Sequence, residues 1–136
     1  MKETIMENNY YTLSIDTDKN RAYFIARGEW GDVSIMREYV KYSKEAVDRL
    51  TRGFTVLADV REMTMPADEK LQEILPYFVE TTKYNDEAGI KKQAQIVKED
   101  TKEVSKTARK VMKDSNFDEK MIQFTDPVEA EKWLDM

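Results

Sequence analysis

The sequence predicts a single α/β domain in the order β-β-α-β-α-β-α-β-α, with a mainly parallel five-stranded sheet whose first strand is antiparallel. Three observations carry this prediction. Two short strand patterns open the chain with a turn between them. A continuous apolar run, Phe54 to Val60, follows a helical stretch. From there, strand and helix patterns alternate to the end.

Tyr10 to Asp16 alternates, with Tyr11, Leu13 and Ile15 on one face, as in a half-buried strand. Asp16-Thr17-Asp18-Lys19-Asn20 has turn chemistry. Arg21 to Gly28 is apolar on both faces and reads as a more buried strand, paired with the first as a hairpin. Gly28 to Asp32 is a break. Helical spacing then joins Ile35, Met36, Tyr39, Val40, Ala46, Val47 and Leu50, with Asp32 or Ser34 as the cap and Gly53 beyond the end. Phe54 to Val60 suits an inner parallel strand, and Arg61 to Met65 a loop.

Pro66 fits a first helical turn, with Asp68 and Glu69 complementing the helix dipole. Leu71, Ile74, Leu75, Phe78 and Val79 line the face that follows. Pro76 inside this helix predicts a kink or break near Leu75, and Gly89 a stop. Gln93 to Val97 is the fourth strand. Asp100 and Glu103 form a capping-box pattern ahead of Val104, Ala108, Val111 and Met112, and Asn116 ends that helix. Met121 to Thr125 is the fifth strand. Asp126-Pro127-Val128-Glu129 then opens the last helix, which carries Ala130, Trp133 and Leu134.

A chain of 136 residues is the size of one domain. Apolar residues make up 40% and charged residues 36%, with a net charge of −5, so composition does not favour disorder. No apolar run is long enough to span a membrane, and residues 1–9 read as a polar, acidic extension rather than a signal peptide. The domain is therefore assigned to residues 10–136, and the protein to the cytoplasm. With no Cys and no His, thiol nucleophiles, thiolate zinc sites and histidine-based triads are excluded. Dinucleotide-binding and Walker A glycine patterns and a Ca²⁺ loop are absent from the sequence. No cofactor or metal is expected, and the reading is non-enzymatic. A carboxylate-based enzyme has no particular residues behind it.

From Tyr10 to Met136, this order resembles the SpoIIAA-like family, the fold shared by STAS domains and topologically close to lipid-binding CRAL-TRIO domains. The opening hairpin and the segment Phe54-Thr55-Val56-Leu57-Ala58-Asp59-Val60-Arg61 are its local anchors. In anti-sigma-factor antagonists of this family, the next loop carries an Asp-Ser-Ser-Gly motif phosphorylated on its first Ser. Met63-Thr64-Met65-Pro66-Ala67-Asp68-Glu69 lacks that motif. In a gapless placement, Ala67 stands at the motif Asp and Asp68 at the phosphorylated Ser, with Thr64 the one hydroxyl nearby. The resemblance thus implies an uncharacterised SpoIIAA-like branch without the phospho-switch.

Ligands of open α/β sheets bind beyond the carboxyl ends of the strands. There, Asp59 and Arg61 either orient a polar ligand or partner, or serve as a turn cap and an ion pair. Trp30 either anchors an interface or packs as a lid over the sheet edge. Met63 and Met65 either line an adaptable apolar pocket with Trp30 or fill the core. Lys91 to Lys113 holds eight basic and three acidic residues. Lys102, Lys106 and Lys110 share one helical face there, with Arg109 and Lys113 beside it. Without interleaved aromatics in an acidic protein, this reads as a solvated face, and no nucleic-acid partner or stable membrane insertion is expected. The leading functional expectation is a regulatory module that binds another protein. The alternative is a carrier of a small apolar ligand or lipid. A homodimer is compatible with both.

Overall fold

A computed structural model describes residues 2–98, 113 and 120–136. Six strands form one sheet: β1 (Lys2–Glu7), β2 (Tyr11–Asp16), β3 (Arg21–Glu29), β4 (Thr55–Thr64), β5 (Lys92–Ile96) and β6 (Met121–Phe124). They lie side by side in chain order. β2 is antiparallel to both its neighbours, and β3 to β6 run parallel. The described helices are α1 (Val33–Asp48), α2 (Asp68–Glu87) and α3 (Pro127–Asp135). The α/β class and the mixed sheet are those the sequence predicts. The helix expected around Val104 to Met112, its Asp100–Glu103 cap and the Lys102, Lys106 and Lys110 face lie outside the described residues.

Local chemistry sets the element ends. The Asp32 carboxylate accepts from the Ser34 backbone N–H at 2.8 Å and starts α1, and Asp126 accepts from Val128 at 2.9 Å and starts α3. In the β2–β3 turn, Asp16 Oδ1 accepts from the Asp18 backbone at 3.0 Å, and Asn20 takes the left-handed conformation at φ 54°. Gly89, at φ +94°, ends α2, and a Cβ there would lie 2.9 Å from Arg52 Cζ. Its carbonyl accepts from the Gly53 N–H at 2.7 Å, which ties together the loops that lead into β4 and β5.

α1 and α2 cover one face of the sheet, which we call the front. There, Tyr11, Phe24, Trp30, Met36, Ala58, Val60, Met63 and Ile74 form one buried cluster, and Ile15, Ala46, Val47, Phe54, Val56 and Leu75 form a second. Rings of Tyr11, Phe24, Trp30, Tyr39 and Phe78 approach each other at centroid distances of 5.0 to 6.2 Å. α3 lies on the back face, where Ala130 and Leu134 pack on Ala94 and Ile96.

Four expectations are corrected. Residues 2–7 are not a free polar extension: they form the edge strand β1, which raises the sheet to six strands. β4 does not stop at Val60 but runs to Thr64, because a bulge interrupts its alternation. β3 likewise runs through Gly28 and Glu29 instead of breaking there. The break allowed for near Leu75 does not occur, because α2 continues through Pro76. Pro76 and Gln72, whose carbonyl loses its helical donor, are both exposed, so water can satisfy that carbonyl.

Candidate functional site

Strand register puts Thr12, Ile25, Asp59, Ile96 and Phe124 in one row across the back face. α3 covers the Ile96 end of the row. Toward β2 the cover ends, and Ile25 is 41% exposed. β3 is otherwise the buried strand the sequence predicts, with residues of both faces buried from Arg21 to Phe24. Asp59 sits where the covered and open halves meet.

The bulge builds the central feature of the open half. Between Ile25↔Asp59 and Arg27↔Glu62, β3 advances two residues while β4 advances three. Asp59 and Arg61 lie two residues apart on one side of β4, with Val60 buried on the other. The Arg61 guanidinium donates to both Asp59 oxygens, Nε to Oδ1 at 3.0 Å and Nη2 to Oδ2 at 2.7 Å. The Arg61 backbone N–H adds a third bond to Oδ1 at 3.2 Å. Partial burial of Asp59 opposes its ionisation, but the bonds from the Arg61 side chain and backbone outweigh this and hold its pKa below the usual carboxylate value. The same pairing raises the pKa of Arg61.

The Arg61 side chain is 38% exposed and the Asp59 side chain 20% exposed. A pair this wet contributes about 0–1 kcal/mol to stability, so the fold does not depend on it. What it offers is a fixed, planar donor array beside an exposed aliphatic side chain, a surface suited to a carboxylate or backbone carbonyl of another molecule. Nearby, Glu62 and Lys98 approach within 3.9 Å. Arg27 holds the β1–β2 turn, donating to the Asn8 carbonyl and to Thr12 Oγ1, both at 2.9 Å.

The remaining sequence-derived residues separate from this fork. Trp30 is 1% exposed and Met63 3% exposed, and both belong to the front core cluster, with Met65 packed against it. Trp30 is thus a core side chain rather than an exposed anchor, with its indole N–H donating to the Arg27 carbonyl at 3.0 Å. Thr64 is exposed at the end of β4, and its carbonyl accepts from the Trp30 backbone at 3.1 Å. Asp68 is exposed in the first turn of α2, whose N-cap, Ala67, has no side chain to cap it. Ile25 was the residue sequence reasoning missed. Its exposure depends on strand pairing and on the reach of α3, neither of which the local pattern encodes. Among the described residues, no group of three acidic side chains could hold a metal ion, and no helix is long and apolar enough to cross a membrane.

No protein-family model matches the sequence, and no curated protein matches it. Solved structures do match. An uncharacterised protein of the DUF3478 family from Shewanella loihica PV-4, described as having a SpoIIAA-like fold, aligns over 95% of this chain and 98% of its own, with a TM-score of 0.59 at 17% identity. The anti-sigma factor antagonist SpoIIAA in its unphosphorylated form aligns over 93% of this chain and 97% of its own, with a TM-score of 0.53 at 14% identity. The Bacillus cell fate determinant SpoIIAA in its phosphorylated form gives a TM-score of 0.52 at 16% identity, over 90% of this chain and 98% of that one. The chain has a SpoIIAA-like fold.

Proposed function

We propose that this protein is a non-catalytic, STAS-like regulatory module that binds a protein partner through the open half of its back face. The observation that carries this reading is the Asp59–Arg61 fork beside Ile25, charged and rigid yet of little use to the fold. The anti-sigma-factor antagonist among its fold neighbours supports a regulatory role by analogy. Met63 to Glu69 contains no Ser, so the reading includes no Asp-Ser-Ser-Gly phospho-switch. The apolar-carrier alternative gains nothing from Trp30 and Met63, which fill the core rather than line an open pocket.

The test places a photo-crosslinking amino acid at Ile25 and irradiates source cells. The expected result is a discrete protein adduct that weakens at least fivefold when Arg61→Glu is added. A second copy of this chain as the captured protein would make the module a homodimer. No adduct at Ile25, or an adduct indifferent to Arg61→Glu, would overturn the proposed surface. A native mass spectrum showing a small molecule lost on denaturation would replace this reading with the carrier one.

A further inference from the structure

Between α1, α2 and the sheet lies an interior chamber of about 50 Å³. Its floor is apolar, from Phe24, Val56 and Ala58, but one side is polar. Tyr39, Ser43, Thr81, Thr82, Asn85 and Gln93 all reach it. The Thr81 and Thr82 hydroxyls each donate to the Phe78 carbonyl at 2.9 Å and keep lone pairs free to accept. The Tyr39 hydroxyl lies beside Thr81 and Ser43, and burial raises its pKa.

Asn85 is the odd member. It is 8% exposed, and its Oδ1 has no hydrogen-bond partner among protein groups. A buried amide oxygen left without a donor is costly, and buried polar groups almost always find a partner in protein or ordered water. No protein donor reaches this one. The chamber also has the right size: a water occupies about 30 Å³ in the liquid and needs only about 10–15 Å³ of accessible space. Ligand pockets run to about 300 Å³ and more, so a lipid chain does not fit. Empty cavities are lined by apolar groups alone, which this one is not.

We propose that the chamber is a buried hydration site in which about one or two water molecules donate to Asn85 Oδ1 and bond with the surrounding hydroxyls. The water completes the seam between α1 and α2 that apolar packing leaves open. This inference is independent of the partner-binding reading.

Water ¹⁷O relaxation dispersion on the intact protein tests it, because it counts long-lived waters and is blind to exchanging hydroxyl protons. The wild type is expected to show about one or two such waters. Asn85→Leu, which replaces the acceptor with an apolar group of similar size, should remove them while the amide spectrum stays dispersed. Ser43→Ala, a milder change, should shorten their residence if the leucine variant folds poorly. A wild type with no long-lived water overturns the proposal. So does a full dispersion amplitude retained in Asn85→Leu, or a high-resolution map showing the chamber empty or filled by another molecule.

Discussion

On the front of the sheet, Trp30 is 1% exposed among the rings of Tyr11, Phe24, Tyr39 and Phe78. On the back, α3 is pinned by a cation. The Arg21 guanidinium, with a side chain only 3% exposed, donates to Asp135 Oδ1 at 2.8 Å and also bonds Glu131. Lys92 adds a bond to the Trp133 carbonyl at 2.8 Å. The front is held by non-directional burial spread over many contacts, whereas the α3 side adds to a smaller apolar cluster a few directional bonds whose carboxylates touch water. The front therefore resists change at any one polar group, while the back can respond to charge.

The largest effect should come from the front. Trp30→Ala removes the centre of the aromatic cluster and should cost about 3–5 kcal/mol in urea unfolding. A loss under 1 kcal/mol would break the comparison. Arg21→Leu should cost about 2 kcal/mol, because the stranded carboxylates can turn to solvent but the buried guanidinium stem is lost. Its signature should be local, with hydrogen exchange rising in α3 well before α1 or α2. Uniform acceleration would show that the two faces are one cooperative unit.

Acid should sharpen the contrast further. The Asp135 carboxyl is held below its ordinary pKa mainly by the hydrogen bond from Arg21, against slight burial. A depressed folded pKa contributes stability above the unfolded value near 3.9, and that stability fades as pH falls through the folded pKa. Below about pH 4, Trp133 fluorescence should therefore report loosening of α3 before Trp30 reports any change at the front, with Trp133→Phe separating the two signals. Simultaneous transitions would sink the idea. The smallest effect belongs to Arg61→Ala, expected within about 0.5 kcal/mol of wild type by thermal unfolding. A larger loss would make the fork a structural element.

What the sequence made legible divides along the same lines. The elements from β2 to β5, β6, the Asp32 and Asp126 caps and the α3 face of Ala130 and Leu134 follow from local spacing, and all are found. β1 was hidden because an edge strand is wet on both faces: Lys2, Glu3, Thr4 and Glu7 are exposed, leaving no alternation to read. Trp30 was ambiguous because its burial is supplied by rings distant in sequence. Asp59 and Arg61 were legible as polar residues near the end of an inner strand. Their mutual pairing was not, because the second half of β4 reads as a loop once its alternation fails.

That failure of alternation has a consequence for how the chain can vary. With one residue out of step between Asp59 and Glu62, both Val60 and Met63 reach the front core. The bulge works as a frame-shift inside β4. Deleting one residue from 59–62 would remove the bulge, with β4 then matching β3 two residues for two and Met63 still facing the core, whereas regular pairing with the extra residue kept would turn Met63 outward. A point substitution at Asp59 or Arg61 leaves the frame intact. The extra residue is therefore the device that lets Asp59, Arg61 and Glu62 crowd onto one stretch of strand while Val60 and Met63 both stay in the front core.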